Sequence, residues 1–240
     1  MLLFIIFPYW SFGMLGACVT GIFLHERHQR FPQLSNLDLT NTAALALCGA
    51  VIGARPLYIA ITIIYLIFNG IYPDFKMLIQ IFNNGFIYYG GLLGAIFIIN
   101  FYLRRYKLDK QYFWKYATPA IPLFHSFGRL GCYFHGCCYG LASSFGKVMI
   151  DGEPHFPIQL ICALGEFCLF LLMLYLEDKH ERPLPLYLTL YALGRFIIEF
   201  FRGDLHRGIF LYLSTSQWIS IFLLIYLLLK YWHRDKIKSV

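Results

Sequence analysis

Seven runs of apolar residues, each about as long as a membrane-spanning helix, dominate the sequence. They cover residues 8–24, 42–68, 85–103, 113–134, 157–176, 186–201 and 212–231. A helix of about 17–25 apolar residues crosses the roughly 30 Å of hydrocarbon in a bilayer. Apolar residues make up 59% of the chain and charged residues only 14%, which is more apolar surface than a soluble core of this size can bury. The sequence therefore predicts an all-α polytopic membrane protein with seven transmembrane helices in one membrane domain, residues 1–240.

The loops between the runs divide the basic residues unequally. One alternating set holds twelve of them: Arg27, Arg30, Arg104, Arg105, Lys107, Lys110, Lys179, Arg182, Lys230, Arg234, Lys236 and Lys238. The other set holds four: Lys76, Lys147, Arg202 and Arg207. Because cytoplasmic loops carry the excess of Lys and Arg, the N-terminus is expected outside and the C-terminus in the cytoplasm. The net charge of +7 then reflects topology and contact with anionic lipids, so we expect no nucleic-acid partner. The first 26 residues contain no Lys or Arg, so the first run is interpreted as a retained span.

The external loop at residues 135–156 is rich in Gly and Cys, and we expect it to lie near an active site. Cys132, Cys137 and Cys138 lie where the fourth run meets this loop. A disulfide between Cys132 and Cys138 and a reactive thiolate activated by nearby cations are both open interpretations. A second pair of Cys or His residues at ligand spacing is missing, so we predict neither a metal site nor a cofactor.

Ionisable side chains inside the apolar runs indicate a polar cavity. Arg55 lies in the second run, where an arginine costs about 3 kcal/mol, so it is expected to line a site or to pair with Glu166. In the sixth run Tyr191, Arg195, Glu199 and Arg202 follow helical spacing and share one stripe. Glu199 can neutralise Arg195, but the second arginine leaves a positive surplus on that face. A phosphate group suits such a surplus.

The fourth run ends in a second group of polar residues. His125 and Arg129 are one helical turn apart and can face the same cavity. Gly131, Gly136 and Gly140 follow, and glycines allow the backbone to approach a ligand closely.

These blocks resemble one known family, the prolipoprotein diacylglyceryl transferases. The matching segments are Gly128-Arg129-Leu130-Gly131 with Gly136 and Gly140, Arg195 to Arg202, Gly53-Ala54-Arg55, Gly90 to Gly94, and Pro157-Ile158-Gln159-Leu160. The resemblance implies a multi-pass enzyme of the bacterial inner membrane. Such enzymes transfer the diacylglyceryl group of phosphatidylglycerol to the lipobox cysteine in the signal peptide of a prolipoprotein and release glycerol phosphate.

The resemblance also implies roles for individual residues. Arg129 and Arg195 match the family's essential arginines, with Arg55 and Arg202 as further phosphate-binding residues and Gln159 and Glu199 in support. Two positions depart from the family pattern. Tyr89 stands where the family has a histidine, and Cys132 and Cys137 replace an asparagine and a glutamate.

The missing family residues leave the proton acceptor and the acceptor substrate open. Tyr89, His125 or His135 could take the thiol proton, and His125 is favoured because imidazole titrates near neutral pH. An alternative is a lipid acyltransferase that uses Cys137 as a covalent nucleophile on another acceptor. A non-enzymatic lipid-binding or transport protein is the other alternative, since Pro56, Pro119 and Pro122 interrupt runs, although no inverted repeat is found.

Overall fold

The protein is described from a computed structural model that is almost entirely helical. It describes residues 2–31, 34–83, 85–144, 146, 148–150, 152–179, 182–204 and 208–238. The helices are α1 (Leu2–Glu26), α2 (Asn36–Phe68), α3 (Phe75–Asn83), α4 (Tyr88–Arg105), α5 (Lys110–Ala117), α6 (Ala120–His135), α7 (Ile158–Leu176), α8 (Pro183–Ile198) and α9 (Thr215–Lys238). Two short antiparallel strand pairs join them: β1 (Val148–Ile150) with β2 (Glu153–His155), and β3 (Ile209–Phe210) with β4 (Leu213–Ser214).

The predicted membrane character is supported by helix length and composition. Among the described residues, Asn36–Phe68, Ile158–Leu176 and Pro183–Phe201 are long and apolar enough to cross a bilayer, and Thr215–Tyr231 is a shorter apolar helix. The chain divides into two compact units. The first unit comprises Met1–Phe31, Gln111–His206 and Ser220–Val240, and the second comprises Pro32–Lys110 and Arg207–Ile219. Lys147 and Arg207, which entered the charge count, lie outside the described residues.

Two of the predicted runs differ from the helices in the structure. The fourth run is broken between α5 and α6, because Pro119 has no backbone N–H to continue the ladder. Pro122 lies in the first turn of α6, where a missing N–H is tolerated. The seventh run begins with the β3–β4 hairpin, and its helix starts only at Thr215. Pro56, in contrast, lies inside a continuous α2.

In the second unit, α2 and α4 pack with their backbones in direct contact. Gly49 and Gly53 on α2 face Gly90 and Gly94 on α4. A Cβ at Gly49 would lie 2.7 Å from the carbonyl oxygen of Gly94, and one at Gly53 would overlap the carbonyl oxygen of Gly90. Small residues four apart on each helix give the close approach typical of membrane helices.

In the first unit, α6 packs against α1 and α7. The rings of Phe12 and Phe134 stack with centroids 4.8 Å apart at one end of the α1–α6 contact. The end of α1 is fastened to the end of α7 by an ion pair between Arg27 and Glu177. Next to this ion pair, the exposed Arg30 pairs with Asp178, with Nη1 of the arginine 2.9 Å from Oδ1 of the aspartate. These ionic contacts hold the same ends of α1 and α7 together.

Backbone hydrogen bonds join the segment that follows α6 to residues just before α7 and just after α8. The N–H of Gly140 donates to the carbonyl of Phe156 at 2.9 Å, and the N–H of Leu141 donates to Phe201 at 3.0 Å. A Cβ at Gly140 would lie 2.6 Å from the Phe156 carbonyl oxygen. Only glycine therefore permits this backbone approach, which fixes the start of the loop beneath α6 and α8.

The glycine contact predicts a stability difference between two matched substitutions. Gly53→Ala places a methyl group against the α4 backbone and is expected to destabilise the fold by about 1–3 kcal/mol, the usual range for overpacking. Gly165→Ala, in α7, meets no atom within 4 Å and is expected to be neutral or stabilising. Thermal unfolding of both variants in detergent measures the difference. Equal midpoints for the two variants would contradict the packing described here.

Candidate active site

Helix α6 places His125 and Arg129 on one face, in hydrogen-bond contact with each other. The Nε of Arg129 donates to Nε2 of His125 at 3.0 Å. On the other side of the ring, Nδ1 lies 2.8 Å from Oε1 of Glu166 on α7. Because Nε2 accepts a hydrogen bond, the neutral imidazole carries its proton on Nδ1, the nitrogen that lies beside the carboxylate. The three side chains form a chain from Glu166 through His125 to Arg129, and each is less than one tenth exposed.

Helix α8 and the turn after it carry a second ionic chain. Nη2 of Arg195 lies 2.7 Å from Oε2 of Glu199, and Nη1 of Arg202 lies 3.5 Å from the same oxygen. Nε of Arg202 donates to Asp204 at 2.8 Å. The predicted stripe of ionisable residues is therefore present, and Glu199 serves both arginines. Asp204 reduces the positive surplus that the sequence indicated.

These two series of contacting side chains lie close enough to interact. The positive charges of Arg129 and Arg202 both act on Arg195, and the rings of His125 and Tyr191 meet edge to face with centroids 5.6 Å apart. Within the described part of the chain, no carboxylate contacts the guanidinium of Arg129. Three buried guanidinium groups thus converge, and Arg129 is the one whose charge no acid balances directly. In a low-dielectric site such a group attracts an anion strongly.

Three cysteine sulfurs lie beside these arginines. The Sγ atoms of Cys132, Cys137 and Cys138 are all within 4.8 Å of one another, and all three residues are thiols. Hydrogen bonds with Cys132 and Cys137 lower the pKa of Cys138 well below its usual range, and the charges of Arg202 and Arg129 add to this effect. Hydrogen bonds with Cys132 and Cys138 raise the pKa of Cys137. This direction disfavours Cys137 as the thiolate nucleophile of the alternative mechanism.

Gln159 connects the loop to α7. Its Nε2 donates to the carbonyl of Cys137 at 2.8 Å, while its buried Oε1 meets no donor among the described residues. Gly136 ends α6 in the left-handed conformation, with φ of 76°, which turns the chain toward Gln159. Gly131 is buried within α6, and His135 is half-buried at its last position. The structure thus brings most of the predicted supporting residues to one region of the first unit.

Arg55 and Tyr89 belong to the second unit. The half-buried Arg55 donates from Nε to the carbonyl of Phe82 at 3.1 Å, and its guanidinium lies over the rings of Phe82 and Phe86. Tyr89 is buried in the first turn of α4. The acid considered as a partner for Arg55, Glu166, pairs with His125 instead. The catalytic and phosphate-binding roles of Arg55 and Tyr89 stay predictions.

Two acids of the site have partners that the sequence did not identify. The sequence predicts Glu166 only as a possible partner of Arg55. The pattern of one helix does not show which basic group of another helix it faces. Asp204 follows Arg202 by two residues, a spacing that does not share a helix face. It reaches the arginine because the helix has ended and Arg202 adopts an extended backbone.

Residues 4–233 match the family model for prolipoprotein diacylglyceryl transferase. The phosphatidylglycerol–prolipoprotein diacylglyceryl transferase of Clostridium tetani is 32% identical over 92% of this chain and 90% of its own length. A second protein of this name from Clostridium perfringens is 32% identical over 90% of this chain and 87% of its own. The Helicobacter pylori protein is 31% identical over 89% and 84%.

The family match covers nearly the whole chain and agrees with the motifs that carry the buried arginines. It also favours a transferase over the non-enzymatic alternative. The chain belongs to the prolipoprotein diacylglyceryl transferase family, whose members are bacterial membrane enzymes.

Proposed function

We propose that this protein transfers the diacylglyceryl group of phosphatidylglycerol to the lipobox cysteine of a prolipoprotein. The observation that carries the proposal is the buried guanidinium of Arg129, which converges with Arg195 and Arg202 but contacts no acid in the described part of the chain. A lipid phosphate supplies the anion that such a group requires. The names of the relatives, which specify this lipid and this class of acceptor, support the same choice.

The reaction exchanges one bond to carbon, carbon–oxygen for carbon–sulfur, and moves one proton. The sulfur of the prolipoprotein cysteine attacks the carbon of the diacylglyceryl group that bears the phosphate, giving a thioether. The carbon–oxygen bond to phosphate breaks, and glycerol phosphate leaves with the bonding electrons. The thiol proton passes to a base. Since negative charge develops on the departing phosphate, Arg129 and Arg195 stabilise the transition state more than the bound lipid.

Gln159 is suited to recognise the headgroup beyond the phosphate. Its Oε1 is buried and meets no donor among the described residues, so a hydroxyl of the glycerol headgroup can donate to it. The Nε2 bond to the Cys137 carbonyl fixes the orientation of the amide. An amide held in this way distinguishes a headgroup with hydroxyls from one without them, since the unmatched lipid leaves a buried acceptor unsatisfied.

Removing the charge of Arg129 tests the proposed phosphate site. We expect Arg129→Gln to lower kcat/KM at least about 100-fold, as loss of a group that stabilises transition-state charge does, and Arg129→Lys to recover part of this loss. The assay follows release of glycerol phosphate from labelled phosphatidylglycerol in the presence of a lipobox peptide. Arg30→Gln is the control, because Arg30 is exposed and pairs with Asp178. Near-normal activity of Arg129→Gln would exclude Arg129 from the site.

His125 has a different role in this proposal from the proton acceptor that its sequence suggests. Its Nε2 lone pair is occupied by Arg129, and its Nδ1 is protonated and lies 2.8 Å from Oε1 of Glu166, so neither nitrogen is available to a substrate thiol. We infer that His125 positions the guanidinium of Arg129. Glu166 fixes the tautomer of His125 and so determines which ring nitrogen accepts the hydrogen bond from Arg129.

A positioning role and a general-base role predict different kinetics for His125 variants. We expect His125→Leu to raise KM for phosphatidylglycerol about tenfold, the effect of losing one hydrogen bond to a charged group. His125→Gln, which keeps an acceptor, should recover part of the affinity, and both variants should retain the acidic limb of the pH profile. Ser126→Ala is a matched buried control, since its hydroxyl bonds only a carbonyl of its own helix. Loss of kcat together with that limb would identify His125 as the base.

We further propose that the chain crosses the bacterial inner membrane seven times, with its N-terminus on the external side. The spans are α1, α2, α4, α5 with α6, α7, α8 and α9. Within the first unit, the paired ends of α1 and α7 carry basic residues of the cytoplasmic set, Arg27 and Arg30, which supports this alternation. The loop after α6 is then external, on the side where prolipoproteins emerge.

Topology reporters test the orientation. Alkaline phosphatase inserted at Gly152, in the turn between β1 and β2, is expected to be active because that loop is external. The same enzyme fused after Lys179, between α7 and α8, is expected to be inactive, and a fluorescent protein at the C-terminus should fluoresce. An active fusion after Lys179 would contradict the proposed alternation.

A further inference from the structure

The cysteine cluster has the geometry of a metal site. Cys132 lies in the last turn of α6, while Cys137 and Cys138 follow it, and their three Sγ atoms lie within 4.8 Å of one another. Zinc binds thiolates at about 2.3 Å, so two sulfurs of a tetrahedral site are about 3.8 Å apart. The cluster therefore needs only small side-chain movements to close around an ion. The sequence spacing alone did not predict this, because no second pair of ligands is present.

The backbone brings the sulfurs together at two left-handed residues. Gly136 has φ of 76° and Cys138 has φ of 57°. The first is ordinary for glycine, but the second is a strained conformation for a residue with a Cβ. This pair of reversals folds residues 137–138 back onto the end of α6, where the N–H of Cys137 donates to the carbonyl of Cys132 at 3.2 Å. The left-handed backbone at Cys138 thus places the third sulfur beside the other two.

Two guanidinium groups lie close to the cluster. Arg202 and Arg129 both act electrostatically on Cys138, and Arg129 acts on Cys132. Three thiolates around a divalent ion carry one net negative charge, which these cations balance. The cysteines are half-buried, so an ion can reach them from the external side. Soft thiolate ligands select zinc or monovalent copper over the hard cations magnesium and calcium.

We propose that Cys132, Cys137 and Cys138 bind one thiophilic metal ion of the zinc or monovalent copper class through three thiolates. The ion joins the end of α6 to the loop that follows. It also fixes the Cys137 carbonyl that accepts from Gln159, and so connects the metal site to α7. Binding of the ion does not depend on the proposed transferase activity and is measured without it.

Metal content and affinity of the full-length protein test the site. After purification in detergent with a phosphine reductant and treatment with a chelator, Zn²⁺ is added back and the excess is removed. We expect elemental mass spectrometry to find one zinc ion per chain. In competition with a chromophoric chelator, Cys138→Ser and Cys132→Ser should each weaken binding roughly 100-fold or more. This exceeds the roughly 10–100-fold effect of removing a group that only hydrogen-bonds to a metal ligand. Cys168→Ser is the matched control, because Cys168 is an exposed thiol on α7.

Measurements on the unaltered protein keep the proposal testable where a variant fails to fold. Co²⁺ should produce an intense thiolate-to-metal absorption band, and Zn²⁺ should raise the unfolding temperature. Stoichiometric retention of Cu⁺ with weak Zn²⁺ binding would support the same three-thiolate site and identify its ion. The proposal is overturned if the reduced protein binds neither ion while all three thiols alkylate freely, or if peptide mass spectrometry finds a disulfide among them in protein purified without oxidant.

Discussion

A guanidinium buried among apolar helices must find an anion or an acceptor, and this requirement organises the first unit. Arg195 and Arg202 satisfy it with Glu199 and Asp204 from their own segment. Arg129 satisfies it only indirectly, through the imidazole of His125, whose far side faces Glu166. Since a neutral ring separates that carboxylate from the guanidinium, the attraction between them is weakened. The protein thus keeps most of its buried charge compensated and leaves one cation able to accept a ligand.

Helical spacing explains how α6 and α7 present their polar groups together. On α6, His125, Arg129 and Cys132 follow intervals of four and three residues and share one face. On α7, Gln159 and Glu166 are seven residues apart and also share a face. Packing of α6 against α7 therefore brings two pairs of groups into contact at once, with imidazole against carboxylate and loop carbonyl against amide. A rotation of either helix would break both contacts.

Patterns within one segment were predictable from the sequence, and partners from different segments were not. The apolar runs predicted the long helices, and the interval from Arg195 to Glu199 predicted their ion pair. The contact between Glu166 and His125 depends on how α7 is rotated against α6, which no single run encodes. Asp204 required knowledge that the helix had ended, and the start of α9 depended on a hairpin whose apolar residues resemble a membrane span. The closeness of the three sulfurs depended on backbone reversals at Gly136 and Cys138.

The cysteine cluster also bears on how this chain can depart from its family and keep the same charge balance. The resemblance places a glutamate where this chain has Cys137, so a negative charge beside the arginines is lost if the thiol is protonated. A divalent ion held by three thiolates carries one net negative charge, the same as the missing carboxylate. The sulfurs proposed to hold this ion lie next to Arg129 and Arg202 at the end of α6. Three cysteines with a divalent metal can therefore perform the electrostatic role of one acid, whereas a protonated Cys137 cannot.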